Sequence, residues 1–172
     1  MKLRSFKIRE ERADDLTSIC DVVMLAFDRN LEADLVNTLP KAGAVTLSLV
    51  AIAQDETIGH ILFSPGTIES DNISEPAVAW GPVAVLPERQ HLGGGSALVT
   101  RGLEESQRKG YSVAFLLGHP EYYPRFGFVP SSTKGFTCKF ADGDAFMVGE
   151  LRPGGLQGVN GFARYRPEFA RF

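Results

Sequence analysis

Apolar residues in the first quarter of the chain predict a strand followed by two helices. Residues 6–9 alternate apolar and charged side chains, which is typical of a half-buried strand. Apolar residues then recur at helical spacing over residues 16–27, with a pair of aspartates in the first turn, where carboxylates favour a helix start. A second, short helix is predicted over residues 32–39, with Pro40 ending it.

The middle of the chain predicts a hairpin and a further strand. Residues 45–53 and 58–63 are apolar and rich in β-branched side chains, with a polar turn between them. Residues 69–76 are polar and predict a turn-rich connection. Residues 77–86 form the next apolar run, and Pro82 inside it is expected to bend or bulge the strand because proline donates no ladder hydrogen bond.

The second half of the chain begins with a helix that connects two predicted strands. Residues 96–109 have helical periodicity, and residues 111–117 form a buried strand that we expect to run parallel to the strand before the helix. A short helix fits residues 120–126, and strands are possible at residues 145–151 and 161–165. We therefore predict an α/β fold with a mixed, mostly antiparallel sheet, flanking helices and one parallel strand pair.

Chain length favours one domain. The 172 residues suffice for a substantial core, and no segment has the length or composition of a linker. We expect a single domain over residues 1–172, with a core at residues 6–128 and aromatic C-terminal strands at residues 129–172. The phenylalanines of this tail are Phe136, Phe140, Phe146, Phe162, Phe169 and Phe172.

Composition excludes several classes of partner. The net charge is −3, so no broad basic surface predicts nucleic-acid binding. Cys20 and Cys138 lie far apart without ligand spacing, so no metal site is expected. The charged N-terminus does not resemble a signal peptide, and no apolar run is long enough to span a membrane. We expect a cytoplasmic protein without membrane contact, either a monomer or a homodimer.

Three consecutive glycines stand between the strand at residues 77–86 and the helix at residues 96–109. Glycine lacks a Cβ atom, so this loop has access to conformations that other residues avoid. A glycine loop that opens a helix directs free N–H groups and the positive end of the helix dipole at one point, which suits a phosphate or pyrophosphate. The alternative is a flexible turn whose glycines serve only the connection.

Two motifs resemble those of the GNAT superfamily of N-acetyltransferases. Gln90, Gly93 and Gly95, spaced Gln-x-x-Gly-x-Gly after the strand, match the acyl-CoA signature of that superfamily. Downstream, Tyr123 stands four residues before a Gly-Phe pair, as in the superfamily's tyrosine-containing helix. The order of elements agrees over residues 6–128, and the segment around Tyr123 is similar to a bacterial subgroup of predicted acetyltransferases.

The resemblance implies that acetyl-CoA is the co-substrate. It implies the GNAT acyltransferase fold, in which the parallel strand pair splays apart at the cofactor site. It assigns the pantetheine arm to the strand edge formed there by Val83, Ala84 and Val85. It assigns the pyrophosphate to the loop residues Gln90, His91, Leu92, Gly93, Gly94, Gly95 and Ser96. Gly94 departs from the superfamily, which usually carries an apolar side chain there. Arg89 and Arg125 are expected to be solvated, with a contact to the phosphates of the cofactor as the alternative.

The resemblance also makes Tyr123 the candidate acid for the departing thiolate. A phenol with a pKa of about 10 keeps its proton at pH 7 and is able to donate it. The alternative is that Tyr123 only packs in the core. The base stays open between His119, Glu88, Glu32 and ordered water, with His60 and His91 less favoured than His119. His119 has an imidazole suited to accept a proton near neutral pH. Glu32 is also the candidate acceptor-binding residue, since the resemblance sets the second helix beside the acceptor.

The implied function is transfer of an acetyl group from acetyl-CoA to a primary amine of a small molecule or peptide, by direct attack in a ternary complex. Residues 27–39 and the aromatic tail are expected to wall the acceptor pocket. A non-catalytic acyl-CoA-binding module on the same fold is the alternative. Nucleotide binding of the Rossmann type is disfavoured because the glycine spacing differs from GxGxxG.

Overall fold

The computed structural model describes residues 5–140 and 143–171, which contain three α-helices and nine β-strands. The helices are α1 (Leu16–Phe27), α2 (Leu31–Lys41) and α3 (Gly94–Arg108). The strands are β1 (Lys7–Glu10), β2 (Leu47–Ala53), β3 (Glu56–Ser70), β4 (Ile73–Val85), β5 (Val113–Leu117), β6 (Phe128–Pro130), β7 (Phe136–Cys138), β8 (Phe146–Glu150) and β9 (Gly161–Arg164).

These strands belong to one mixed sheet. Seven of them follow the order β1-β2-β3-β4-β5-β8-β6, and β9 pairs with β3 and β7. The pairs β1–β2, β2–β3, β3–β9, β5–β8 and β6–β8 are antiparallel, whereas β4–β5 and β7–β9 are parallel. The predicted mixed, mostly antiparallel α/β fold with a parallel strand pair is confirmed, and β7–β9 adds a second parallel pair.

The chain divides into two compact units. The described residues of one are 5–63, 81–102 and 171, and those of the other are 64–80, 103–140 and 143–170. The first unit contains β1, β2, α1, α2 and the loop that opens α3, and the second contains β5 to β9. A single domain stays a prediction, and Phe172 of the aromatic tail lies outside the described residues.

β3 and β4 are much longer than the hydrophobic pattern predicts. The turn-rich connection predicted over residues 69–76 is wrong, since the actual turn consists of Asp71 and Asn72 alone. The end of β3 pairs with β9, where Glu69 accepts two hydrogen bonds from Arg164, 95 positions away in sequence. This long-range pairing extends the strand through a polar segment that local periodicity assigns to a loop.

Two predicted helix boundaries are also wrong. Pro40 lies inside the last turn of α2 rather than ending the helix before it, because few ladder bonds remain there for a proline to break. The helix predicted over residues 120–126 is a 3-10 turn at Tyr123–Phe126, which ends at Gly127 with φ +90°. The three-residue strands β6 and β7 were not predicted, because so short a segment contains no measurable period.

The packing of α3 on the sheet depends on glycines. A Cβ atom at Gly102 would lie 2.1 Å from Cζ of Phe63, so only a hydrogen atom fits between the helix and the ring. Leu98 of α3 is fully buried, and a Cβ atom at Gly59 of β3 would lie 3.0 Å from its Cδ1. Gly102 and Gly59 therefore both allow α3 to approach the sheet closely.

A polar cluster interrupts the apolar interior of the first unit. His60 on β3 is fully buried, and its Nε2 lies 2.8 Å from Oγ of Ser48 on β2. Ser48 in turn donates a hydrogen bond to the carboxylate of Glu11. Burial lowers the pKa of His60 to about 3 and thus keeps its imidazole neutral near pH 7.

We predict that His60 makes the protein sensitive to acid. Its pKa is about 3 when folded and about 6.5 when unfolded, so the unfolded state binds the proton more readily and stability is lost as pH falls from 6.5 towards 3. Between pH 7 and pH 5 the loss is about 2 kcal/mol. Urea denaturation of wild type and His60→Gln at both pH values measures it. An equal acid loss in the two proteins would contradict the prediction.

We predict opposite effects of a methyl group at two glycines of α3. Gly94 begins the helix without a positive φ, and an added Cβ would lie 3.9 Å from Cδ1 of Ile58, an ordinary contact. Gly94→Ala should stabilise the fold by about 0.5–1 kcal/mol, since alanine restricts the unfolded chain. Gly102→Ala should destabilise it by about 1–3 kcal/mol through overpacking against Phe63. Urea midpoints test both, and a neutral Gly102→Ala variant would be inconsistent with the observed contact.

Candidate functional site

The connection from β4 to α3 is anchored at both ends by backbone hydrogen bonds. The N–H of Leu86, just after β4, donates to the carbonyl of Ile58 at 2.9 Å. A 3-10 turn at Pro87–Arg89 follows, and the N–H of Ala97 makes a helical bond of 3.0 Å to the carbonyl of Gly93. The loop between these points is therefore a fixed link between strand and helix.

The glycine loop leads into α3, which begins at Gly94. The N–H groups of Gly94 and Gly95 precede the helical bond of Ala97, so helix geometry gives them no carbonyl one turn earlier. No acidic residue lies in the first turn of α3. His91 and Gly93 adopt φ of +62° and +94°, and a left-handed backbone at a non-glycine residue is uncommon. This end of the helix suits an anion.

The end of β4 forms the second part of the candidate site. β4 pairs with β5 at Val78 and Ala79 and continues as a strand for six residues, up to Val85. Val83 and Val85 are half-buried and Ala84 between them is buried. Gln90 links strand and loop, because its Nε2 donates a hydrogen bond of 3.2 Å to the carbonyl oxygen of Val85.

Other loop residues differ in exposure. Leu92, Gly95 and Ser96 are half-buried, whereas Gln90, His91 and Gly93 are exposed. Gly94 is buried against β3, so the apolar side chain of the superfamily would have space next to Ile58. Gly94 is therefore not required by lack of space, and it forgoes the contact with Ile58 that an apolar side chain would make.

Tyr123 is a buried phenol in the second unit. Its residue is only 9% exposed, and the rings of Trp80 and Phe128 each meet it edge-on with centroids 6.1 Å apart. Burial raises the pKa of Tyr123 to about 12, with a smaller contribution from Tyr122. The hydroxyl thus stays protonated across the working range of an enzyme, and the ring has a packing role as well.

The turn that leads to Tyr123 begins at the end of β5. A Cβ atom at Gly118 would lie 2.3 Å from Cε2 of Tyr123, so the phenol ring occupies the space that a side chain would need. His119 follows, is exposed, and accepts at its carbonyl a hydrogen bond of 3.0 Å from the N–H of Tyr122. Gly118 was not predicted as a site residue, because its signal in the sequence is just a glycine after an apolar strand.

Glu32 on α2 is a buried carboxylate. Its residue is 1% exposed, and its oxygens accept hydrogen bonds from Nε of Arg29 at 2.8 and 2.9 Å and from Nη2 of the same residue. The Arg29 side chain is 59% exposed and belongs to the loop between α1 and α2. Glu88 lies exposed in the turn before the glycine loop.

Arg89 is half-buried, so the expectation that it is solvated is wrong. Its Nη2 lies 3.3 Å from Oε2 of Glu56 at the start of β3.

Across residues 5–140 and 143–171, no group of three His, Cys, Asp or Glu side chains has the arrangement to hold a metal ion. Within the same residues, no helix has the length and apolar character needed to cross a membrane.

Comparison with known proteins gives the same family on several grounds. The family model "Acetyltransferase (GNAT) domain" matches residues 7–130. The N-acetyltransferase YjhQ of Escherichia coli K12 is 34% identical over 143 residues, which cover 81% of this chain and 79% of that protein. The N-acetyltransferase YhbS of the same strain is 32% identical over 167 residues, 96% of this chain and 99% of that protein.

Two solved structures are similar over nearly the whole chain. The crystal structure of E. coli YhbS in complex with CoA has a TM-score of 0.91 at 32% identity and covers 97% of this chain and 93% of that one. A GNAT family acetyltransferase from Brucella melitensis in complex with acetyl-CoA has a TM-score of 0.79 at 32% identity, covering 96% and 98%. Such relatives are consistent with an enzyme that transfers acyl groups, and this chain belongs to the GNAT acetyltransferase family.

Proposed function

We propose that the protein is an acetyl-CoA-dependent N-acetyltransferase that acetylates a primary amine of a small molecule or peptide. The observation that carries the proposal is the glycine loop, in which the amides of Gly94 and Gly95 open α3 a short connection after the extended end of β4. A helix N-terminus without acidic residues binds phosphate groups well. The relatives crystallised with CoA and acetyl-CoA support the choice of cofactor.

The loop and the strand each bind a different part of the cofactor. The diphosphate of acetyl-CoA accepts hydrogen bonds from backbone amides of residues 91–96, since the amide of Gln90 already donates to the carbonyl of Pro87. The pantetheine amides pair with the backbone of residues 83–85. Gln90 supports this arrangement because its side chain ties the loop to Val85. The carbonyl of Val85 keeps a second lone pair for a ligand amide.

The reaction is attack of the amine nitrogen on the thioester carbonyl carbon. A carbon–nitrogen bond forms, the carbon–sulfur bond breaks with its electron pair leaving on sulfur, and the nitrogen loses a proton. A lysine-like amine has a pKa of about 10.4, so most of it is protonated at neutral pH and a proton must leave before attack. The enzyme therefore needs both a proton acceptor and a stabiliser of the thiolate.

Tyr123 stabilises the leaving thiolate by donating a hydrogen bond. A thiol has a pKa of about 8.5 and Tyr123 has a pKa of about 12, so complete proton transfer from the phenol to the sulfur is uphill. A hydrogen bond held ready for the developing charge needs no transfer and still lowers the barrier. Tyr123 thus serves as a donor whose proton stays on oxygen for most of the reaction.

His119 accepts the amine proton, and Glu32 binds the acceptor. His119 is exposed directly before the turn that carries Tyr123, which supports a role in proton exchange with solvent. Glu32 supports a cationic acceptor because its buried carboxylate is already paired with a guanidinium, that of Arg29. An ammonium group is also a cation that donates hydrogen bonds to a carboxylate, though without the planar two-armed geometry of a guanidinium.

Cofactor binding and turnover test the proposal together. At about 100 times its dissociation constant, CoA should stabilise the fold by about 2.7 kcal/mol, measured as a thermal shift. A screen of amino acids, polyamines, aminoglycosides and peptides, read out by CoA release, identifies the acceptor. If saturating CoA and acetyl-CoA produce neither a shift nor heat of binding, the proposal fails.

Substitution of Tyr123 separates an enzyme from a binding module. Tyr123→Phe should lower kcat by about 10²–10⁴-fold while the affinity for CoA stays unchanged, because only the hydrogen bond to sulfur is removed. Tyr122→Phe is the matched control and should keep its kcat. The buried ring of Tyr123 also suits a purely structural role, which favours a non-catalytic acyl-CoA-binding module as the second candidate. CoA binding by wild type without acetylation of any amine would support that module.

The pKa of Tyr123 also predicts the alkaline side of the pH profile. The protonated phenol is the active form, so its loss lowers kcat only as pH approaches about 12, whereas an ordinary tyrosine would cause a decline from about pH 10. Over the same range kcat rises as the acceptor amine deprotonates. Measurements of kcat between pH 7 and pH 10.5 check this, and a decline that begins below pH 10 would be the contrary result.

A further inference from the structure

Arg89 is the last residue of the 3-10 turn before the glycine loop, and its guanidinium is only partly used. Its side chain is 28% exposed, and Nη2 lies 3.3 Å from Oε2 of Glu56. Its Nε is buried and has no hydrogen-bond partner among the residues that the structure describes. A cationic donor is therefore withdrawn from water without a partner, which costs free energy.

In the contact with Glu56, Arg89 donates through Nη2 and not through Nε. Nε and Nη2 of a guanidinium form a planar fork that matches the oxygens of a phosphate or carboxylate. Glu56 accepts from Nη2 alone, and its side chain is 53% exposed. Pairs this long and this exposed contribute little to stability. Glu56 is thus a weak partner that a better anion can replace.

The Arg89–Glu56 pair lies near the start of α3. Glu56 begins β3, and Ile58, two residues further on, accepts the hydrogen bond from Leu86 that anchors the loop. The side chain of the same Ile58 lies 3.9 Å from the position of a Cβ atom at Gly94, the first residue of α3. Strand, turn and helix N-terminus therefore meet within a few residues of this ion pair.

We propose that Arg89 is a phosphate ligand of the cofactor site, and that it exchanges Glu56 for a phosphate group of acyl-CoA when the cofactor binds. The phosphate accepts hydrogen bonds from both Nε and Nη2, which gives the buried Nε the partner it lacks. The inference rests on the proposed function, because it assigns a further residue to the same cofactor. Glu56 then acts as a competitor that holds Arg89 in the unliganded protein.

Calorimetric titration with CoA tests the exchange in four proteins: wild type, Arg89→Gln, Glu56→Gln and the double variant. Arg89→Gln should weaken CoA binding by about 10- to 100-fold, the range for a hydrogen bond to a charged group. Glu56→Gln should strengthen binding by about two- to fivefold, since it removes the competitor. In the Arg89→Gln background, Glu56→Gln should have no effect, which separates competition from a general change in charge.

Two further arms identify the phosphate and control for charge. Dephospho-CoA lacks the 3′-phosphate: an equal loss with this ligand assigns Arg89 to the diphosphate, and a vanished loss assigns it to the 3′-phosphate. Arg108→Gln, at the far end of α3, makes the same change in net charge and should keep the affinity of wild type within about twofold.

The outcomes distinguish this inference from the proposed function. Wild type that does not bind CoA overturns both. Wild type that binds CoA, with Arg89→Gln binding it equally well, overturns the role of Arg89 alone. If Arg89→Gln does not fold, Arg89→Lys decides, because it keeps the charge and loses the fork. That variant should bind CoA about three- to tenfold more weakly, and unchanged affinity overturns the inference.

Discussion

The backbone amides of Gly94 and Gly95 at the start of α3 are the constraint on which the proposed chemistry depends. A helix leaves its first N–H groups without carbonyl partners one turn earlier, and these two glycines place no side chain over them. Hydrogen bonds from Leu86 to Ile58 and from Ala97 to Gly93 hold the two ends of the connection. The loop is therefore held in place before any ligand binds, so in the proposed function little ordering entropy would be lost when a phosphate binds there.

In two ion pairs of the first unit, one charged side chain is more buried than its partner. Glu32 is buried and its cation, Arg29, is exposed. Arg89 is largely buried and its carboxylate, Glu56, is half-exposed. When the exposed partner of such a pair leaves, it regains its hydration, but the more buried group then needs a new partner of the same charge as the one lost. Both pairs thus suit a protein that receives a charged ligand, one a cation and the other an anion.

The second unit provides a contrasting environment. Tyr123 is surrounded by aromatic edges, and burial raises its pKa until it is a poor acid but a permanent hydrogen-bond donor. Gly118 leaves space for the ring, so the position of the phenol depends on packing against the end of β5 and not on the tyrosine motif alone. A sequence motif identifies the tyrosine, whereas its pKa depends on residues far from it in the chain.

The sequence by itself determined the helices, the parallel crossover and the glycine loop, because these depend on periodicity and on residues adjacent along the chain. The same local signals sufficed for the family resemblance through Gln90, Gly93 and Tyr123. Only the tertiary structure decided the length of β3, which pairing with β9 extends through polar residues, and the burial of Arg89 and His60. Strand pairing and burial depend on contacts between residues that are distant in sequence, so no local pattern predicts them. These contacts decide which charged and polar side chains are removed from water.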